Sequence, residues 1–145
     1  MARPIATECV NDIISKLEKL PALKGKAFHV MSDQELLDKT KVLMYTCAAV
    51  IYGGMREAGD GKETHKVGNS VEISMDILLF FRTNAQAKDD PKEEAVALLD
   101  GIRGQFLDSR APTGHFWRFR SETSIELKTG LVGYLQRWTS PAQIT

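Results

Sequence analysis

Two aromatic stretches towards the end of the chain, residues 114–122 and 130–138, constrain its fold more than any other feature. Together they hold both tryptophans, Trp117 and Trp138, and their side chains alternate in character with a period of two. Such alternation is typical of β-strands, and aromatic side chains dominate the energetics of cores and interfaces. We therefore predict that the two stretches pair as strands at the heart of a sheet.

A third strand and two amphipathic helices follow from the same kind of periodicity. Between residues 71 and 81 every odd-numbered side chain is apolar, while Glu72, Ser74 and Asp76 lie on the other face. Residues 4–20 carry apolar side chains at intervals of three and four, as an amphipathic helix does. A second helix begins at Pro91, because proline is favoured at the first helical position, and runs to Phe106. The remaining predicted elements are strands at residues 27–31 and 42–52 and a short helix at residues 32–38.

The order of these elements predicts an α+β fold in one domain, residues 1–145. Hairpin-like neighbours favour a mixed, largely antiparallel sheet of about four to five strands, with two main helices packed on one face. The glycine-rich, polar residues 53–69 are predicted to form a long flexible loop or an extended hairpin tip, and residues 140–145 a disordered tail. If helices cover only one face, the opposite face, which carries Glu72 and Asp76, is a candidate interface.

The balance of charge argues against some classes of function. The chain has 19 basic and 19 acidic residues, so nonspecific binding to nucleic acid or to a membrane surface is not expected as its main role. It shows no signal peptide and no apolar run of membrane-spanning length, which indicates a protein made in the cytoplasm. Cys9 and Cys47 lie among apolar neighbours and are predicted to be buried thiols rather than one disulfide.

The sequence shows no motif of an active site, a metal site or a cofactor site, and we predict none. Glycines at 59 and 61 invite comparison with a phosphate-binding loop, but Glu63 stands where that loop needs serine or threonine. The three histidines are too scattered for a metal site. One enzymatic alternative stays open: a magnesium-dependent nuclease that uses Asp108, Glu126 and Lys128, since an acid followed by a Glu-x-Lys triplet gathers a metal ion and a lysine.

Two groups of charged residues are candidates for contacts with other proteins. The first group lies in the predicted loop and consists of Arg56, Glu57, Asp60, Lys62, Glu63 and Lys66. Its mixed charge suits electrostatic steering and register. The second group, Arg118, Arg120 and Arg137, alternates with aromatic residues in the strand pair. We interpret these arginines as outer-face residues positioned for salt bridges or a subunit interface, rather than as part of a nucleic-acid stacking platform.

Four motifs carry a resemblance to a known family: Ala-Val-Ile-Tyr-Gly-Gly at 49–54, Asp-x-Ile-Arg at 100–103, Gly-His-Phe-Trp-Arg-Phe-x-x-Glu at 114–122, and Gly-x-x-x-Tyr-x-Gln-Arg-Trp at 130–138. In these motifs the chain resembles the phage tail terminator proteins, particularly the variety of contractile-tailed, Mu-like phages. The resemblance covers most of residues 20–141 and rests on packing motifs. It implies a small α/β subunit that forms a hexameric ring on the head-proximal end of the tail, stops polymerisation of tube and sheath, and presents a surface for joining the head.

The resemblance also implies partners and a location. The expected partners are further copies of the chain, the tail tube protein, the sheath protein and head–tail connector proteins, with no membrane. DNA would pass through the ring without being read in sequence. The expected location is the virion, at the head–tail junction, after assembly in the host bacterial cytoplasm. Besides the nuclease, two alternatives stay open: a head–tail connector or tail-completion protein, and a cytoplasmic small-ligand-binding domain.

Overall fold

The computed structural model describes residues 4–31, 46–57, 69–82, 91–125 and 131–144. In these ranges the α-helices are α1 (Ile5–Leu17) and α2 (Pro91–Phe106), with a short 3₁₀ helix at Pro21–Leu23 between α1 and the sheet. The strands are β1 (Ala27–Val30), β2 (Cys47–Glu57), β3 (Asn69–Arg82), β4 (Arg118–Ile125) and β5 (Leu131–Ile144). The predicted short helix at 32–38 and the first residues of the predicted strand at 42–52 lie outside the described residues.

The five strands form one mixed sheet in the order β1-β2-β3-β5-β4. β1 runs parallel to β2, whereas every other neighbouring pair is antiparallel. The predicted aromatic strand pair is β4 and β5, but only β5 lies inside the sheet and β4 forms an edge. The prediction of an α+β fold with a mixed, largely antiparallel sheet is confirmed.

Both helices pack on the same face of the sheet, as predicted. The strand alternation sends the odd-numbered side chains of β3, such as Ile73 and Met75, towards the helices, and Trp138 of β5 joins them in one buried cluster. The helices contribute their apolar faces to this cluster, with Cys9, Val10, Ile13 and Leu17 from α1 and Ala95, Leu99, Ile102 and Phe106 from α2. Burial of this apolar area is the main favourable term in folding.

The first helix ends earlier than its apolar periodicity predicts, at Leu17 rather than at residue 20. The amide of Leu20 donates to the carbonyl of Leu17, so the chain tightens into a turn of i to i+3 bonds. Leu20 itself is extended, with ψ near 128°. A residue before a proline is biased away from the helical region, and Pro21 therefore stops the helix.

The predicted loop at residues 53–69 is shorter than expected. Residues 53–57 continue β2, which stays paired with β3 from Cys47 to Glu57, and residue 69 begins β3. Gly53 and Gly54 form a bulge, not a strand end: Gly54 has a φ of 98°, and a Cβ on Gly53 would lie 3.2 Å from the Cβ of Ser74. Glycine suits both positions because it tolerates a positive φ and a close backbone approach. Residues 58–68 lie outside the described residues.

The prediction of a disordered tail at residues 140–145 is wrong for residues 140–144. They extend β5, and their pairing with β3 runs as far as Ile144 opposite Asn69. Pro141 does not interrupt the strand. β4 pairs with β5 only as far as Thr139, so β5 is an edge strand beyond that point, where proline is tolerated.

The predicted strand at residues 114–122 also begins later, at Arg118. A turn precedes it: Gly114 has a φ of 90°, its amide donates to the carbonyl of Ala111, and the amide of Ala111 donates to the carbonyl of His115. Glycine adopts this left-handed conformation without steric cost. Residues 114–117, which their alternation alone assigns to the strand, therefore precede it.

A buried polar network ties α2 to β4 and β5. The side chain of Gln136 is only 1% exposed. Its Nε2 donates to the carbonyl of Leu99, at 3.2 Å, and to Glu122 Oε1, at 2.8 Å, while its Oε1 accepts a hydrogen bond of 3.0 Å from Trp138 Nε1. Glu122 also forms an ion pair with Arg103 of α2. Every polar group of Gln136 is thus used to hold the two layers in register.

A second network fixes α1 against the segment before β4. Asp12 accepts a hydrogen bond of 2.9 Å from Trp117 Nε1 and one of 2.6 Å from Lys16 Nζ. Lys16 also donates to the carbonyl of Arg110, at 2.8 Å. Trp117 is therefore buried with its indole N–H satisfied, as a buried tryptophan requires.

Candidate functional site

The face of the sheet opposite α1 and α2 divides into two parts. One part is a small apolar cluster formed by Val30, Cys47, Ala49, Leu78 and Phe80, all buried. The other part is polar and carries the even-numbered side chains of the first half of β3 with their neighbours on β2, β4 and β5. We call its four arginines, Arg56, Arg118, Arg120 and Arg137, the arginine surface.

Arg137 of β5 is held by a two-point contact with Asp76 of β3. Its Nε lies 2.8 Å from Asp76 Oδ1, and its Nη2 lies 3.1 Å from Asp76 Oδ2. The two residues are direct partners in the antiparallel register. The hydrogen bonds to Asp76, together with its charge, raise the pKa of Arg137 above its ordinary value. The carboxylate side chain is 14% exposed and the arginine side chain 49%, so the guanidinium side of the pair faces outwards.

Glu72 joins arginines from two different strands. Its Oε1 lies 3.1 Å from Arg56 Nη2 of β2, and its Oε2 lies 2.9 Å from Arg120 Nη2 of β4. The bulge between Phe119 and Ser121 leaves Arg120 without a partner in the β5 register, and its side chain reaches across β5. On the way its Nε donates to Thr139 Oγ1, at 2.8 Å. Glu72 therefore fixes Arg56 and Arg120 with charge-assisted hydrogen bonds, as Asp76 fixes Arg137.

The arginine surface is electropositive towards solvent. Three of its four arginines pair with Glu72 or Asp76 and Arg118 is exposed, so four positive charges stand against these two carboxylates, an excess of two. The carboxylates lie beneath, since the Glu72 side chain is 12% exposed while that of Arg56 is 73% exposed. Planar, ordered guanidinium groups suit the recognition of carboxylates or phosphates.

The structure brings together residues that the sequence placed in two separate groups. Arg56, expected in the loop, belongs to β2 and meets Arg120 through Glu72. Glu57 is also in β2, paired with Val71, and is exposed. Arg118 is exposed and lies opposite Thr139. The other loop candidates, Asp60, Lys62, Glu63 and Lys66, lie outside the described residues.

Sequence reasoning placed Glu72 and Asp76 on the uncovered face but missed their role as anchors for the arginines. The sequence contained part of the information needed to predict this role, because the alternation of β3 puts both acids on the same face. Their partners are distant in sequence, and the pairing of β3 with both β2 and β5 decides which arginine each acid meets.

The residues of the nuclease alternative are described only in part. Asp108 follows the last turn of α2 and has a φ of 61°, a conformation that non-glycine residues adopt rarely. Glu126 and Lys128 lie outside the described residues. Within the described ranges, no group of three or more His, Cys, Asp or Glu side chains is placed to hold a metal ion.

A cleft of about 380 Å³ opens between the start of α1 and strands β1 and β2. It is lined by Ala6, Thr7, Val10, His29, Val30, Met31 and Tyr52. Burial, followed by the effect of Cys9, raises the pKa of the Tyr52 hydroxyl above its ordinary value. The cleft is where the small-ligand alternative would place its ligand.

The two cysteines are buried thiols, as predicted, and lie on opposite faces of the sheet. The sheet therefore separates them and prevents a disulfide within one chain. Burial and the nearby charges of Asp12 and Glu8 raise the pKa of the Cys9 thiol from 9.0 to about 12. Cys9 is accordingly a packing residue and a poor nucleophile at neutral pH.

We expect Cys9 to react with a thiol reagent at pH 8 at least about a thousandfold more slowly in the folded protein than in urea, because a pKa about three units higher reduces the thiolate fraction by that factor. The measurement is Ellman labelling in a Cys47→Ala background. The raised pKa of Cys9 also predicts how the free energy of unfolding depends on pH. The contribution of the neutral, buried thiol to this free energy is fully present below pH 9 and is lost as the pH rises from 9 towards 12. Fast labelling without urea would contradict the burial of Cys9.

No helix among the described residues is both long enough and apolar enough to cross a membrane. Comparison with known proteins adds no assignment: no family model matches the chain, and no curated protein is significantly similar to it.

Proposed function

We propose that this protein is a structural subunit of the phage tail terminator type. In this role it forms a ring on the head-proximal end of the tail tube, stops further addition of tube and sheath subunits, and offers the surface to which the head is joined. Two lines of reasoning support the proposal: the resemblance of four motifs to this family, and the arginine surface on the sheet face that α1 and α2 leave uncovered.

The arginine surface is the observation that carries the proposal. Arginines from β2, β4 and β5 are oriented by carboxylates of β3, so the surface is ordered before any partner binds. Side chains that are already fixed lose little conformational entropy when a partner binds. A contact with this advantage suits an assembly in which every subunit makes the same contact. A closed ring needs such a contact between two different patches of neighbouring subunits.

The ring model makes the chain a non-enzymatic component of the virion, located at the head–tail junction. Six subunits are the number that the family resemblance implies. The tail tube protein, the sheath protein and the connector proteins are the proposed partners, and DNA passes through the lumen without sequence-specific contacts.

The test is deletion of the gene from the phage or prophage that carries it, followed by electron microscopy of the particles. We expect overlong, headless tails, because nothing then stops tube polymerisation. A plasmid copy of the gene should restore normal length, and the same plasmid with an early stop codon serves as the control. Tails of normal length beside unattached heads would contradict termination and would favour a head–tail connector.

A further inference from the structure

The arginine surface presents guanidinium groups at two separated positions. At the first position Asp76 forms an ion pair with Arg137. At the second position Glu72 forms ion pairs with Arg56 and Arg120. The two acids are four residues apart on β3, so the positions are separated by about 13 Å along the strand. Between them lie Gly54 and Ser74 on adjacent strands, while Thr139 is buried beneath the side chain of Arg120. We call the part of the sheet face between these two positions the trough; it carries positive charge at both positions.

The outer side of α2 has the complementary pattern. Ala95, Leu99, Ile102 and Phe106 are buried against the sheet, so the opposite side of the helix faces solvent. That side carries Glu93, Ala97, Asp100 and Gly104, all exposed and spaced at i, i+4, i+7 and i+11; we call it the acidic ridge. Its two acids are separated by about 10.5 Å along the helix axis.

Both acids of the ridge are accessible to a partner. The Asp100 side chain is 80% exposed, and its contact with Arg103 is a long one of 3.3 Å within the same helix. A pair of this kind is weak in water. Ala97 and Gly104 keep the ridge low, and a Cβ added to Gly104 would meet no atom within 4 Å. A flat partner surface therefore approaches the helix closely.

We infer that the acidic ridge of one copy of this chain docks in the trough of the arginine surface of the next copy. The two surfaces lie on opposite sides of a two-layer molecule, so they cannot meet within one chain. Their charges are opposite, and their spacings of about 10.5 and about 13 Å are close enough for flexible acidic side chains to bridge. Each sheet then gains a second helical layer, a stable architecture for sheets. This inference rests on the proposed ring, whose head-to-tail contact it specifies.

A second copy fits the trough better than a nucleic acid does. Glu72 and Asp76 neutralise half of the positive charge of the arginines, whereas binding to a phosphate backbone relies on uncompensated lysine and arginine. The chain as a whole carries no net charge. A head-to-tail contact between two oppositely charged patches does not require a net charge on the chain.

The first test reverses the acidic ridge with the double variant Glu93→Lys/Asp100→Lys. We expect self-association, measured by sedimentation velocity over a wide range of concentration, to weaken at least about a hundredfold, because two attractive charge pairs become repulsive. Added salt should weaken the wild-type association by screening. The matched control is Glu8→Lys/Glu18→Lys, which changes the net charge equally outside both surfaces and should associate like the wild type.

The second test restores complementarity from the other side. The double variant Arg56→Glu/Arg118→Glu reverses two exposed members of the arginine surface and keeps the pairs of Arg120 with Glu72 and Arg137 with Asp76. Alone, this variant should not associate. Mixed with Glu93→Lys/Asp100→Lys in equal amounts, it should form an alternating one-to-one assembly. Mixed with Glu8→Lys/Glu18→Lys, which has the same net charge as the ridge variant but keeps the acidic ridge, it should form no alternating assembly, because neither protein offers a basic ridge to the reversed trough.

The outcomes separate this inference from the proposed function. If the protein forms an oligomer and Glu93→Lys/Asp100→Lys associates as strongly as the wild type, the docking is contradicted and the proposed ring is not. A wild-type chain that stays monomeric at every concentration, and on purified tails, would overturn both. Binding of a short DNA duplex that is lost in Arg56→Glu/Arg118→Glu, with unchanged self-association, would assign the trough to nucleic acid and contradict the docking. If the arginine variant fails to fold by circular dichroism, the ridge variant and its control decide alone.

Discussion

Replacing Trp138 by alanine is expected to lower the free energy of unfolding by about 3–5 kcal/mol, the usual cost of deleting a large buried aromatic side chain. Trp138 is completely buried. Its ring centroid lies 5.3 Å from that of Phe106 and 5.4 Å from that of Phe119, so it connects α2 with β4 through β5. Urea unfolding followed by linear extrapolation measures the loss.

The matched control for Trp138→Ala is Phe119→Ala. Phe119 contacts the same indole ring but is 40% exposed, so its truncation removes less buried area and should cost about 1 kcal/mol. If the two substitutions lowered stability equally, Trp138 would not be the centre of the packing between these layers. A loss near 5 kcal/mol is large, because domains of this kind are stable by only about 5–15 kcal/mol.

Replacing Gln136 by leucine is expected to cost about 2–3 kcal/mol, although leucine is apolar and similar in size. The cost arises because the buried Trp138 Nε1 loses its acceptor, and a buried donor without a partner carries its full desolvation penalty. Glu122 also loses the hydrogen bond from Gln136 Nε2. Urea unfolding gives the magnitude, and faster hydrogen exchange at the Trp138 indole, observed by NMR, gives the cause.

Gln143→Leu is the control for Gln136→Leu, since Gln143 lies on the same strand and is exposed. An exposed substitution away from special contacts usually changes stability by less than about 0.5 kcal/mol. Unchanged protection of the Trp138 indole in Gln136→Leu would show that another group accepts this hydrogen bond, and would contradict the proposed role of Gln136.

Local periodicity was sufficient to predict the central elements of the fold. The alternation of residues 71–81 predicted β3, and the proline at position 91 with the apolar residues after it predicted α2; both are confirmed. These patterns are readable because a strand or helix with one buried face repeats its own geometry in its sequence. The placement of both helices on one face followed from the same patterns.

Boundaries were less predictable where pairing partners decide them. Gly53 and Gly54 indicated a loop, yet β2 continues through them because β3 is present to pair with the residues that follow. Residues 140–144 indicated a tail, yet they extend β5 because the start of β3 lies beside them. In both cases a distant strand supplies the hydrogen bonds, and no local pattern encodes its presence.

In the candidate site, too, some features follow from local periodicity and others depend on distant strands. The sequence by itself determined that Glu72 and Asp76 share a face, that Arg118, Arg120 and Arg137 accompany the aromatic strand pair, and that the chain forms an α+β sheet with helices on one face. Only the tertiary structure decided that Arg56 joins these arginines, because Glu72 meets it on the neighbouring strand β2 and meets Arg120 across β5. The physical reason is range: periodicity acts over a few residues, whereas an ion pair between strands depends on the order and register of the whole sheet.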